Sequence, residues 1–333
     1  MISTSDVRVR DIYVAKRRIA SIARRTPLIT STLLREYIGA PVYLKLENIQ
    51  ETGAFKLRGA ANKILSLTAD EKARGVIAFS SGNHGLAVSC VARQLSINAV
   101  ICISKRVPST KVGAIKRLGA KVVVHGKGQD EAEEHSFRIQ EERALTMIPP
   151  SDDPFVIAGQ GTIGLELLED LPEIDTVIVP LSGGGLISGI ALALKSADSE
   201  IRVIGVSMER APVMYHSLRA GKPVVLEEED TIADGLVGGI GLDNRYTFRM
   251  VQEYVDDTIL VSEEEIAEAM AFALEKHHLV VEGAGAVGIA ALLHRKVREV
   301  GRNVAVVVSG SNVEIPLLLK IAHNHSGDEA NLR

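Results

Sequence analysis

The sequence predicts an α/β protein of two lobes, each a parallel-type sheet wrapped by helices, with a cleft between them. Three observations lead there. The chain has 333 residues, long for one core, and proteins of that length divide into two lobes of ordinary domain size. It is 46% hydrophobic but 4% aromatic, with no Trp, so the core must be built from Val, Ile, Leu and Ala, as in sheets buried on both faces. Short β-branched runs alternate with small-residue helical stretches, the order of a doubly wound sheet.

The elements follow in turn. "VIAFSSGNHGLAVSCVARQL" opens as a strand over Val76 to Phe79, turns through Ser80 to Gly85 and continues as a helix. "NAVICIS" is the next strand, "STKVGAIKRLGA" a helix closed by Gly119, and "KVVVHG" a further strand. "MIPPSDDP" marks a lobe boundary, beyond which "TVIVPL", "IRVIGVS" and "NVAVVVS" are strands with helices between them. Ser262 and Glu265 have the spacing of a capping box. Thr176 to Leu194 carries no charge and approaches the length of a bilayer span, yet Pro180, Ser182 and three successive glycines divide it into strand, loop and helix. There are no repeats, and "GDEANLR" is expected to be a frayed tail. Ligands of such sheets bind where loops leave the carboxyl ends of strands, which here means "SSGNHG", "SGGGL" and "SGSN".

Charge and cysteine usage exclude several classes. The net charge is -4 and the basic residues are scattered, which leaves no face for a nucleic-acid backbone. Cys90 and Cys102 lie in apolar stretches without metal-ligand spacing and read as buried thiols in a reducing compartment. The N-terminus is charged where a signal peptide needs its apolar segment. A cytoplasmic protein with neither membrane nor nucleic-acid partner is expected.

Two glycine-rich stretches invite a phosphate reading. Ser182 to Leu186, "SGGGL", follows a strand and opens a helix, so its N–H groups and the helix dipole can converge on a phosphate; a tight turn chosen for close packing is the alternative. "GAGAVG", Gly283 to Gly288, fits the dinucleotide fingerprint, but the next strand ends at Ser309 rather than at the acidic residue that would hold a ribose. A nicotinamide cofactor is therefore not expected.

Together, "TGAFKLRGA", "SSGNHGLA", "VPLSGGGLISGIA", "TIADGL", "VVEGAGAVGIAAL" and "VVVSGSN" resemble, in the same order, the signature segments of the pyridoxal-phosphate enzymes of the threonine/serine dehydratase and serine racemase family. The resemblance runs from about Arg25 to Asn312. It implies the tryptophan synthase β-like architecture called fold type II. A large, discontinuous cofactor-binding domain would comprise residues 1–52 and 150–323, a small domain residues 53–149 and a tail residues 324–333, with the cofactor in the cleft. It also implies a homodimer.

Roles carry over position by position. Lys56 is implied as the lysine joined to pyridoxal phosphate, a task that needs an amine whose pKa a dry pocket can lower. Phe55 would lie against the cofactor ring and Asn83 would bond its hydroxyl. Ser81, Gly82, Asn83 and His84 would hold the substrate carboxylate, and Ser182, Gly183, Gly184, Gly185 and Leu186 the cofactor phosphate. Ala54 stands where the family more often has serine, and Ser182 where many relatives have glycine. Ser309 resembles the serine that faces the pyridine nitrogen; a neutral hydroxyl does not keep the ring protonated as a carboxylate would. That favours prompt loss of a β-substituent: Lys56 removes the α-proton, the β-hydroxyl leaves, and the enamine hydrolyses to a 2-oxo acid and ammonia.

Other readings stay open at this point. Ser81 is on the opposite face in racemising relatives, so an amino-acid racemase is an alternative, as is a non-catalytic ligand-binding protein on the same scaffold. The substrate is a 3-hydroxy amino acid: threonine, serine or, because "GGIGLDNRYTF" resembles dehydratases of hydroxyectoine utilisation, one derived from ring-opened hydroxyectoine. No regulatory domain is expected after Ser311. No metal is expected either, since alignment on "MYHSL" puts Ser207 and Val213 where metal-activated relatives carry a glutamate and an aspartate, with Glu209 close by in sequence.

Overall fold

The computed structural model describes residues 7–80, 82–105, 107 and 109–325. Among the described residues ten strands form two sheets: β1 (Leu28–Thr30), β2 (Val42–Leu46), β3 (Val76–Phe79), β4 (Ala99–Ile103), β5 (Lys121–Val124), β6 (Thr146–Met147), β7 (Thr176–Pro180), β8 (Arg202–Met208), β9 (Asp257–Val261) and β10 (Val304–Val308). One sheet has the order β1-β2-β10-β7-β8-β9, the other β5-β4-β3-β6. β7 and β10 are wholly buried Val-rich runs, as strands covered by helices on both faces must be.

All pairings are parallel except that of β1 with β2. The parallel-type sheets expected are present, and the one antiparallel pairing at this edge has a simple reason. Residues 31–41, which join β1 to β2, are fewer than the roughly dozen that a parallel crossover takes. They form a short helix, Thr32–Ile38, that Gly39 ends at φ +80°, so the chain reverses.

The uncharged stretch from Thr176 to Leu194 is strand, loop and helix: β7, residues 181–184, and then the helix Gly185–Ala197, of which Gly185 to Leu194 are buried. Among the described residues no helix is long and apolar enough to cross a membrane. "GAGAVG" starts a helix, Gly283–Leu293, with no strand ahead of it. A Cβ on Gly285 would stand 2.7 Å from the Gly310 carbonyl, and one on Gly288 2.7 Å from a methyl of Val306. These glycines let the helix settle onto β10, which accounts for the fingerprint without a dinucleotide.

Candidate active site

Lys56 is the first residue of the helix Lys56–Ser66. Its neighbours explain why the chain can hold a lysine there. Arg58, 2% exposed, donates to both oxygens of Glu47 at 2.8 Å and to both of Glu166 at 2.6 and 2.9 Å. Glu166 also accepts from Lys45 at 2.7 Å. Desolvation opposes the Arg58 charge, but Glu47 and Glu166 outweigh it and raise the pKa. Gly59 follows because a side chain would meet Gln160 and Val156 of the helix Pro154–Asp170. The start of the lysine helix is thus pinned by buried ion pairs on one side and close helix packing on the other.

The Lys56 ammonium donates to the Pro150 carbonyl at 2.6 Å and sits 5.2 Å from the centre of the Phe55 ring. Desolvation lowers its pKa from the ordinary 10.5 to about 8. His84 lies nearby and is 3% exposed. Desolvation first, then the Lys56 charge, push its pKa down to about 3, so the ring is neutral. Its Nε2 is 2.8 Å from the Ile148 carbonyl, an acceptor, so that nitrogen carries the proton.

The three strand-end loops converge. Phe55 N–H donates to the Ser309 carbonyl at 3.0 Å, and Ala54 bridges to Gly310, which sets Lys56 beside the end of β10. The Ser309 side chain is buried, with its hydroxyl 3.4 Å from the Ala284 carbonyl. Asn83 opens the helix Asn83–Gln94, whose first N–H groups have no acceptor within the helix. Its side chain bonds to Glu282 and Asn312, each at 2.6 Å. Gly82 precedes it, with N–H to the Ser80 hydroxyl at 3.3 Å. Ser81, expected at the catalytic and substrate positions, lies outside the described residues.

The glycine loop stands on the other side of Pro150. A Cβ on Gly183 would be 2.6 Å from the Ser151 hydroxyl, and one on Gly185 2.9 Å from the Ser151 carbonyl. Gly184 has φ +83° and is the N-cap of the following helix, a conformation that favours glycine. The N–H groups of Gly185, Leu186 and Ile187 therefore point out of a helix start with the positive end of its dipole, ready for an anion. Ser182 donates its hydroxyl to the Leu236 carbonyl at 2.8 Å, which ties the loop to the turn Asp234–Leu236. Leu186 is 6% exposed and belongs to the core below. The loop is backed by Asp152, whose carboxylate accepts from the N–H groups of Arg245, Tyr246 and Thr247.

Taken together, a desolvated lysine, an anion cradle built from backbone and a buried hydroxyl fit a phosphorylated cofactor that an amine can hold covalently. Three participants carried no role in the sequence reading: Glu282, Asn312 and the Pro150–Ser151 turn. Their signals were a carboxylate directly before a glycine-rich helix, the asparagine ending "SGSN", and a proline pair between strands.

Comparison with known proteins agrees with this geometry. The chain is 48% identical over 313 residues to a putative threonine dehydratase of Sinorhizobium fredii, covering 94% of each chain. It is 45% identical over 315 residues to an L-threonine ammonia-lyase of Thermotoga maritima, covering 95% of this chain and 78% of that one. Among solved structures, maize serine racemase superposes with TM-score 0.90 at 38% identity, over 96% of this chain and 98% of that one. The family model described as "pyridoxal-phosphate dependent enzyme" matches residues 19–310, and with that match across nearly the whole chain the protein belongs to the pyridoxal-phosphate dependent enzymes.

Proposed function

We propose that the protein is a dehydratase and ammonia-lyase that eliminates water from a 3-hydroxy amino acid and regains one water when the enamine hydrolyses, so that the net products are a 2-oxo acid and ammonia. One observation carries this reading: the helix-start lysine at the joint of three strand-end loops is desolvated enough to act as an amine, in a chain whose relatives bear dehydratase and ammonia-lyase names. Pyridoxal phosphate, when bound, supplies the electron sink that makes the substrate α-proton acidic. The chain's own residues do the rest.

Lys56 holds the cofactor and, released from it, takes the α-proton as general base. Backbone N–H groups of Gly183, Gly184, Gly185 and Leu186 hold the phosphate, with Ser182 shaping the loop through Leu236. Phe55 flanks the ring. Gly82, Asn83 and His84, together with Ser81, hold the substrate carboxylate through the N–H groups of the helix start, while the His84 ring supports Ile148 from behind. Ser309 offers a hydroxyl, not a carboxylate, at the end of β10, so no anion there favours a long-lived carbanion and elimination is the faster outcome.

The proposal includes three finer points. The substrate belongs to a set made of threonine, serine and the amino acid from ring-opened hydroxyectoine, and "GGIGLDNRYTF", which packs behind the phosphate loop through Asp152 and Thr247, motivates the last. Racemisation is a second activity of the same site, supported by the likeness to maize serine racemase. The enzyme is a cytoplasmic homodimer with its small domain at residues 53–149; Ile315 and Leu319, a turn apart and each 63% exposed, offer apolar surface for a second copy.

The test is a 2-oxo acid assay across L-threonine, L-serine, 3-hydroxyaspartate and opened hydroxyectoine derivatives, with chiral analysis of recovered substrate. Turnover of at least one to its 2-oxo acid is expected. Holoenzyme with an imine absorbance but no 2-oxo acid from any of them would overturn the lyase reading.

A further inference from the structure

The amide of Asn83 is held at both ends. Its Nδ2 donates to Glu282 Oε1 at 2.6 Å and its Oδ1 accepts from Asn312 Nδ2, also at 2.6 Å. The two partners are themselves joined, with Asn312 N–H donating to Glu282 Oε2 at 3.0 Å. The remaining Asn312 Nδ2 hydrogen goes to the Thr52 carbonyl at 2.8 Å. Glu282 is 3% exposed and its N–H donates to the Gly310 carbonyl at 3.1 Å. A side chain on Gly310 would collide with Glu282 Oε1 and come within 3.2 Å of Asn83 Nδ2, so the glycine is what lets the carboxyl reach the Asn83 amide.

An amide is nearly symmetric in shape, and only its partners decide which end is oxygen and which nitrogen. A carboxylate accepts and never donates, so it draws Nδ2 toward itself; the Asn312 NH₂ donates and never accepts, so it draws Oδ1. We propose that Glu282 is a positioning residue, whose negative charge fixes the direction of the Asn83 amide and thereby of the one Asn83 N–H left for the cofactor. This rests on the reading of Asn83 as a cofactor ligand.

The proposal carries a pH dependence. A protonated Glu282 can donate as well as accept, and the amide then loses its enforced orientation. Burial, and then the Asp234 charge, raise the Glu282 pKa to about 7, against the hydrogen bonds from Asn83 and Asn312 and the charge of Lys111. Lys111 is itself paired with Asp234. These groups, from the turn Asp234–Leu236 and the helix Ser109–Arg117, are the charged neighbours that face it. Cofactor affinity should therefore fall as pH drops through about 7.

The experiment compares holoenzyme of the wild type with Glu282→Gln, Asn83→Ala and the double variant, reading the cofactor dissociation constant and kcat/KM between pH 6 and 9, with thermal melts as a check on folding. Wild-type affinity is expected to weaken about tenfold from pH 8 to 6, as one controlling proton requires. Glu282→Gln, which has nearly the same shape, should bind about three- to tenfold more weakly at pH 8, the scale of one buried hydrogen bond, and should lose the acid limb. In the Asn83→Ala background the Gln substitution should add nothing. Asn312→Ala, which strips the opposite clamp, should also weaken cofactor binding. Wild-type affinity with an intact acid limb in Glu282→Gln, or additive losses in the double variant, would overturn the inference. Absence of any imine absorbance in the wild type would instead sink the functional reading beneath it.

Discussion

Lys56 donates to the carbonyl of Pro150 at 2.6 Å, and the residue after that proline, Ser151, packs against Gly183 and Gly185 of the loop proposed to hold the phosphate. One turn thus links the amine to the anion cradle. With a pKa of about 8, roughly a tenth of Lys56 is neutral at pH 7, against well under a thousandth for an ordinary lysine. Only the neutral amine attacks an aldehyde.

Cofactor uptake by the apoprotein should therefore speed up with pH and level off just above 8. Stopped-flow absorbance at the imine band checks this; a rate still climbing steeply at pH 10 would mean an unperturbed lysine. Stability follows the same shift. The unfolded chain binds a proton that the native lysine has lost between about pH 8 and 10.5, so apoprotein stability rises with pH across that window. Lys56→Ala should remove this rise, abolish the imine band and the lyase activity, and leave the fold intact.

Arg58 gives the largest stability prediction. Arg58→Met strands Glu47 and Glu166, which lie with it in the interior, and a buried pair broken from one side is destabilised by about 3–5 kcal/mol. Arg58→Lys should recover little, since one ammonium cannot make the paired contacts of a guanidinium with two carboxylates. Urea unfolding of the three proteins decides it, and a loss below about 1 kcal/mol for Arg58→Met would count against a buried network.

The same residues show how far the sequence could be read. The parallel strands were legible because "TVIVPL", "IRVIGVS" and "NVAVVVS" are apolar runs bounded by turn residues, and the capping box at Ser262 and Glu265 is present. β1, β6 and β9 were not, being short or half-exposed and so without a clear period. Within the candidate site, what was legible was a backbone demand for glycine, as at Gly184 with φ +83°. Glu282 and Arg58 were not, because a lone charge beside a helix reads as solvent-facing. What overrides that rule is a partner far along the chain: Arg58 with Glu166, Glu282 with Asn83.

Ser309→Asp tests the neutral hydroxyl at the end of β10. If Ser309 faces the ring nitrogen as proposed, a carboxylate introduced there favours its protonation and stabilises the carbanion. Elimination should slow by about tenfold or more, on the scale of a pKa unit or two, and carbanion-derived side products should rise in proportion. Product ratios by mass spectrometry check it, and an unchanged ratio and rate would remove Ser309 from the ring.

The last prediction concerns divalent cations. Metal-activated relatives need anionic oxygens after the strand that here is β8, and the aligned positions offer none: Ser207 is buried with its hydroxyl against the Met208 sulfur, and Val213 is apolar and buried. Glu209 is the nearby carboxylate that could have taken over. Its charge already faces a cation, for the Lys296 ammonium lies 3.6 Å from Glu209 and 2.6 Å from Glu265 and donates to the Leu260 carbonyl at 3.0 Å. Among the described residues no group of three or more His, Cys, Asp or Glu side chains could hold a metal ion. A divalent ion would have to displace the ammonium and then satisfy six or more oxygens in a place that presents few. Dialysis against EDTA should therefore leave activity and melting temperature unchanged, and Mg²⁺ at fixed ionic strength should not activate. Lys296→Met removes the ammonium from both carboxylates, leaving Glu265 with its bond from the Ser262 N–H, and if the tethered ammonium is what excludes the ion, this variant alone should gain thermal stability on addition of Ca²⁺. Loss of wild-type activity on chelation, restored by Mg²⁺ or Ca²⁺, would refute the argument and make Glu209 a ligand.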